Sequence, residues 1–220
     1  MSKLITSLLL GLLSISACDA QLLPPATQWE AGKTYFVVDP PQSTASGSKI
    51  EVLEVFSYAC SHCAHFQPYA EELISKLPAY AAYSYMPAIF NPSWEPFARA
   101  YYTAQSLGVA DKTHQALFDA LHRDHEPIHD INGLADFYAT KGGVDPHKFI
   151  AASTSFEVES KLSRSLTMVP KFGVDGTPTV IVNGKYRVTA ASAGGYPQLI
   201  EEVLWLVQKE HDAAAKPAKK

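Results

Sequence analysis

The chain has 220 residues, 47% of them hydrophobic, and carries 18 Lys and Arg against 22 Asp and Glu for a formal net charge of −4. That is enough apolar material for one substantial core with room for an inserted subdomain. Charges of both signs are interspersed and no basic stripe is present, so nucleic acid is excluded as an expected partner.

The first residues read as an address and not as part of the fold. Met1-Ser2-Lys3 is a short positive segment, and Leu4 to Leu13 is an apolar run too short to cross a bilayer alone. Residues 1–20 are therefore expected to export the chain to the periplasm. Two processing sites are compatible with this. Ile15-Ser16-Ala17-Cys18 resembles the lipobox of bacterial lipoproteins. Cutting there ends the signal at residue 17 and makes Cys18 a lipidated first residue, with Asp19 behind it favouring the inner membrane. Cleavage after Ala20 instead releases a soluble protein.

Pro24-Pro25 rules out a helix from Gln21 to Trp29. Thr34 to Val38 is predicted as a first strand, and Asp39 to Ser48 as a Pro/Ser/Gly linker into the main strand, Ile50 to Ser57. Glu51 to Leu77 reads EVLEVFSYACSHCAHFQPYAEELISKL. Its β-branched and aromatic run, Val52 to Phe56, favours a buried strand. Behind Cys60-Ser61-His62-Cys63, the residues Phe66, Tyr69, Leu73 and Leu77 recur with helical periodicity. The first thiol thus falls at a helix N-terminus, where unpaired N–H groups and the macrodipole favour a thiolate. The second follows on the same face, within reach for a disulfide.

The chain holds three cysteines, and once Cys18 is removed or lipidated only Cys60 and Cys63 remain. A bridge between them closes almost no loop and adds little entropic stability, so it points to redox chemistry. Zinc usually takes four protein ligands in structural sites, and there is no second cysteine pair. Neither a metal nor a cofactor is expected. Glu54 is a lone carboxylate inside the apolar strand. Burial should raise its pKa and fit it to shuttle protons, whereas a lysine or solvent partner would make it merely structural.

Ala82 to Ile89 is predicted as a second core strand. Helices are expected from Trp94 to Leu107, Lys112 to His122, Ile131 to Lys141, Pro146 to Ala151 and Phe156 to Met168. His122, His125 and His129, with Asp124 and Asp130, could suggest a metal cluster, but Pro127 interrupts them and a solvated loop is expected. Thr179 to Val182 and Lys185 to Val188 flank Asn183-Gly184, the signature of a type I′ hairpin. Tyr196 to Glu210 closes the fold as an amphipathic helix, and residues 211–220 are expected to be a disordered tail. Gly176-Thr177-Pro178-Thr179 places a proline at the mouth of a strand, where it needs a special turn.

Taken together, VLEVFSYACSHC, the helical block and GVDGTPTVIVNGKYRV resemble DsbA-type thiol–disulfide oxidoreductases over about residues 28 to 210. The resemblance implies a thioredoxin fold, a mixed α/β sheet flanked by helices, with an inserted all-helical domain. It divides the chain into a thioredoxin-fold part at 21–90, a helical insertion at 91–169 and a second thioredoxin-fold part at 170–210. It casts Cys60 as nucleophile, Cys63 as resolving thiol, and His62 as an imidazole that lowers the Cys60 pKa. Ser61 stands where proline is common and would tune the redox potential. Glu54 matches the family's buried acid, and Pro68 its helix-kinking proline. Pro178 would be a cis-proline facing the cysteines. The Thr177 backbone would then pair with an extended substrate, and its hydroxyl would lie near the sulfurs.

The function implied is a monomeric exported oxidase that gives its disulfide to folding exported polypeptides and is reoxidised by a membrane partner of the DsbB type. Two alternatives stand beside it. One is a disulfide isomerase or reductase, although Gln21 to Lys49 leaves no room for an N-terminal dimerisation domain. The other is a peptide-binding lipoprotein chaperone with incidental thiols; apolar surface from Phe56, Tyr58 and Phe172 around the site would fit this reading and the oxidase alike.

Overall fold

The computed structural model describes residues 28–215. Cys18 and both processing sites lie outside the described residues, as does the end of the chain from 216. A five-stranded sheet runs in the order β1-β5-β4-β2-β3. The strands are β1 (Tyr35–Val37), β2 (Ile50–Phe56), β3 (Ala81–Pro87), β4 (Thr179–Val182) and β5 (Tyr186–Val188). β2 pairs parallel with β3 and antiparallel with β4, and all seven of its residues are buried.

Such a strand must be covered on both faces, and its alternation shows how. Ile50 and Val52 pack with Phe66, Ala70 and Leu73 of α1 (Ser61–Lys76) and with Leu199, Val203 and Leu206 of α8 (Tyr196–Ala215). Leu53 and Val55 face the other way, onto Met168, Val169 and Phe172. At the β4–β5 turn, Asn183 and Gly184 take φ 52° and 66°, the two positive values a type I′ turn requires. Gly184 is required twice over, because a Cβ there would overlap the Gln42 carbonyl.

Between β3 and β4 lie α2 (Glu95–Ser106), α3 (Ala110–His122), α4 (Ile131–Gly142), α5 (Pro146–Ser153) and α6 (Phe156–Lys171), entered through a 3-10 turn at Pro92–Trp94. Their core includes Leu117, Leu134, Tyr138, Phe149 and Leu162, with the Tyr138 and Phe149 rings stacked 4.6 Å apart. Phe56 and Tyr58 leave the end of β2 and enter this same cluster. Phe56 meets Tyr58, Tyr101 and His114 edge-on at 5.1–5.2 Å.

Three expectations need correction. Residues 211–215 are helical rather than part of a disordered tail. The helix runs past Glu210 because alanines favour it, Gln208 donates to Asp212 at 2.7 Å, and His211 stacks on Tyr80 at 3.9 Å. His122 is not in a solvated loop. It ends α3, and its Nε2 donates to the Tyr58 carbonyl at 2.7 Å. A further helical turn, α7 (Ala190–Ala193), was not expected; it is defined by a capping box between Thr189 and Ser192.

The candidate active site

β2 delivers the chain to the site, and a tight turn redirects it. The Cys60 N–H donates to the Ser57 carbonyl and the Ala59 N–H to the Ser57 hydroxyl, both at 3.1 Å. Cys60 is then the N-cap of α1, with φ −97°, ψ 115° and no side-chain cap. No side-chain cap thus competes with its sulfur for the N–H groups of the first turn. Cys60 is 9% exposed and Cys63 is fully buried, and both are free thiols.

From the opposite side, the Thr177–Pro178 peptide is cis and the Thr177 carbonyl lies 3.3 Å from Cys60 Sγ, accepting from the thiol. The Thr177 hydroxyl is buried without a hydrogen-bond partner among the described residues. The Thr177 side chain favours the thiolate form of Cys60.

These surroundings separate the two thiols. The Cys60 pKa is lowered to about 5, chiefly by the hydrogen bond from the Cys63 thiol. Thr177 and the N–H groups of Cys63 and His62 add to this, against the opposing push of burial. Cys63 is driven far up by burial, by donating a hydrogen bond to Cys60, and by the nearby Glu54. Glu54 is fully buried, and its pKa is raised to about 8 by desolvation. A hydrogen bond from Tyr83 opposes that rise, and the charge of Cys60 adds to it. Among the described residues the hydrogen-bond partner of Glu54 is a tyrosine and not a lysine: the Tyr83 hydroxyl donates to Oε2 at 2.7 Å.

His62 is exposed and contributes its main chain: its N–H favours the thiolate, and its carbonyl accepts from the Tyr196 hydroxyl at 3.2 Å. Ser61 is exposed in the first turn of α1, and the helix continues through Pro68. His62, Thr177, Pro178, Thr189 and Tyr196 line a groove of about 350 Å³.

A second groove, about 550 Å³, is apolar. It runs along Ile89, Phe90, Leu166, Val169, Pro170 and Val174 and ends at Asp175. Phe90 is 41% and Leu166 56% exposed, whereas Phe56, Tyr58 and Phe172 are buried. The three aromatics expected to supply apolar surface therefore cannot grip a peptide. They join the sheet to its neighbouring helices instead.

Beneath the site, the Tyr58 hydroxyl is 2.8 Å from Nδ1 of the buried His114, whose pKa desolvation lowers to about 3. Tyr83, Tyr196 and His114 carried no signal in the sequence. They reach the site through strand pairing and helix packing, and no local pattern announces either.

A dithiol at a helix N-terminus, with an acidic thiol against a cis-proline and a buried partner that holds its proton, defines a thiol–disulfide oxidoreductase of thioredoxin fold. Residues 83–199 match the model of the DSBA-like thioredoxin domain. The thiol:disulfide interchange protein DsbA of Pseudomonas aeruginosa is 35% identical across 98% of this chain and 100% of that protein. The Burkholderia cepacia protein of the same name is 33% identical across 96% and 99%. The crystal structure of P. aeruginosa DsbA superposes with a TM-score of 0.80 at 35% identity, covering 86% of this chain and 97% of that one. DsbA from Xylella fastidiosa gives 0.77 at 34%, covering 82% and 97%. The chain belongs to the DsbA family.

Proposed function

We infer that the protein oxidises dithiols of folding exported polypeptides, and that Cys60 carries the exchange. A substrate thiolate attacks Cys60 Sγ and the Cys60–Cys63 bond breaks. Cys63 leaves with the electron pair and takes a proton, which Glu54 is placed to give. The substrate's second thiolate then attacks its own sulfur in the mixed disulfide, and Cys60 departs as a thiolate. Two substrate thiols have become a disulfide, and the enzyme's disulfide has become a dithiol.

The observation that carries this direction is the acidity of Cys60, because stabilising the leaving thiolate stabilises the reduced enzyme. A pKa of about 5 places the thiolate well below neutral pH, an advantage on the order of 50 mV in a two-electron couple before solvent screening reduces it. The apolar Phe90–Leu166 groove suits unfolded chains, and the half-buried Thr177–Pro178 segment lining the groove beside His62 suits backbone pairing.

Return to the disulfide calls for a membrane oxidant of the DsbB type. The leader sequence supports a periplasmic location and a monomer is the working unit. The mass of the mature chain distinguishes its processing: a lipidated start at Cys18, or an unmodified start at Gln21.

The experiment is the reduction potential of the Cys60/Cys63 pair together with the thiolate titration of Cys60. The expected result is a potential near the oxidising end of the range, about −120 mV, with an acidic Cys60. A value of about −270 mV would mean a reductant on this frame. In parallel, Cys60→Ala and Cys63→Ala each abolish turnover, and Cys63→Ala given oxidised glutathione stops at the Cys60–glutathione mixed disulfide, with one glutathione thiolate released. Turnover surviving in Cys60→Ala would place the chemistry elsewhere.

A further inference from the structure

On the β3 edge of the sheet a groove of about 340 Å³ opens between α1, α3 and that strand. Its walls carry Tyr83, Tyr85 and Tyr101, and its rim includes Glu71 and Asp111, both exposed, so it is open to solvent. Tyr83 belongs to this groove and to the buried acid at once: it lines the groove, and its hydroxyl donates to Glu54 Oε2 at 2.7 Å. Glu54 Oε1 has no hydrogen-bond partner among the described residues. Among the described residues the buried carboxyl is hydrogen-bonded to Tyr83, and Tyr83 also lines the groove.

We propose that Tyr83 is a positioning residue for thiol exchange, a proton relay joining Glu54 to solvent in the groove. The proposal rests on the reading of Glu54 as the acid and base for Cys63. When Cys63 resolves a mixed disulfide, its proton passes to the Glu54 carboxylate. Its sulfur attacks Cys60 Sγ, the bond from Cys60 to the substrate sulfur breaks, and the substrate leaves as a thiolate with the electron pair. Glu54 then returns its proton to the Tyr83 oxygen while the Tyr83 hydroxyl proton moves to water. The two transfers are concerted, since burial and Glu54 hold Tyr83 far from ionising. In the oxidising half-cycle the protons run inward.

The groups facing Glu54 are Tyr83 and Tyr85 of β3, Cys60 and Cys63 at the start of α1, Tyr101 of α2 and Tyr196 of α8. None is a cation, so the Tyr83 hydroxyl is what favours the ionised carboxylate.

The test uses the reduced full chain and oxidised glutathione. Cys60 forms the glutathionyl mixed disulfide, and its resolution by Cys63 is followed by rapid acid quench from pH 6 to 10. In the native protein the rate rises with an inflection at about pH 8, as Glu54 ionises. Tyr83→Phe loses the donor, so the inflection moves to higher pH and the rate at pH 7 falls about tenfold. Cys60 still titrates at about 5, which verifies an intact site. Glu54→Gln slows resolution and removes the inflection, and the double variant matches Glu54→Gln. A Tyr83→Phe profile identical to the native one, beside a slow Glu54→Gln, overturns the relay alone. Further slowing in the double variant also overturns it, because Tyr83 would then act through packing. A native profile in Glu54→Gln overturns the acid–base reading itself. Should Tyr83→Phe fail to fold, a proton inventory in mixed H2O and D2O decides on the native protein: a curved dependence supports two protons in flight, and a linear one overturns the relay.

Discussion

At Thr177 two groups of one residue serve opposite states of one sulfur. The carbonyl accepts from the Cys60 thiol at 3.3 Å, and the buried hydroxyl has no partner among the described residues while its side chain favours the thiolate. Thr177→Val removes that hydroxyl and keeps the shape. It is expected to make Cys60 about tenfold less acidic, the worth of one hydrogen bond to a charged group. Following thiolate absorbance at 240 nm against pH checks this, and an unchanged titration would put the acidity elsewhere. The cysteines and Pro178 were legible in the sequence because their meaning is local: a spacing, a helix start, a proline before a strand. Glu54 was legible as a misplaced charge. Its partner was not, because Tyr83 meets it only through the parallel register of β2 and β3, which sets Val52 beside Tyr83 and Glu54 beside Tyr85. His62 was legible as a neighbour of Cys60 through its ring, and its backbone N–H, which also favours the thiolate, had no signature in the sequence.

At the scale of elements, one carboxylate of α8 gathers three donors from the hairpin beneath the helix's apolar packing. The Glu210 carboxylate accepts from Asn183 and Lys185 at 2.6 Å and from Tyr186 at 3.0 Å. Although burial pushes its pKa up, the bonds from Lys185 and Asn183 hold it below the usual carboxylate range. A depressed carboxylate stabilises the fold above its unfolded pKa, and that contribution disappears as the pH falls through its folded value. Glu210→Ala is therefore expected to cost about 2 kcal/mol at neutral pH, with three donors left unpaired. The difference from the native protein should narrow towards pH 3. Urea unfolding at pH 7 and pH 3 measures both, and a cost independent of pH would assign it to packing. Helix periodicity in the sequence located α8 but stopped it at Glu210. The residues that continue it depend on Tyr80 and on local side-chain bonds rather than on an apolar stripe.

Across the whole molecule, the aromatic cluster that includes Phe56 and Tyr58 also includes Cys60 and Cys63. The packing of the dithiol is thus continuous with that of the helices between β3 and β4. The redox state is in turn linked to global stability. Reduced Cys60 has a folded pKa of about 5, below that of an unfolded thiol. Its thiolate therefore stabilises the folded dithiol form increasingly as the pH rises above about 5, in full above the unfolded pKa, and not at all once the pH has fallen through the folded value. The melting temperature of the dithiol form, relative to the disulfide form, should accordingly be higher at pH 7 than at pH 4. Calorimetry of both forms tests this, and a pH-independent difference would contradict it.

The full burial of Cys63 also bears on how the reaction divides over time. Each mixed disulfide can be ended by Cys63, which restores the enzyme and frees an unchanged client, or by the client's own second thiol, which completes the new bond. A thiol that is buried and reluctant to ionise competes slowly. The branching ratio therefore favours the client's thiol, and a captured chain has time to present its second cysteine before it is let go.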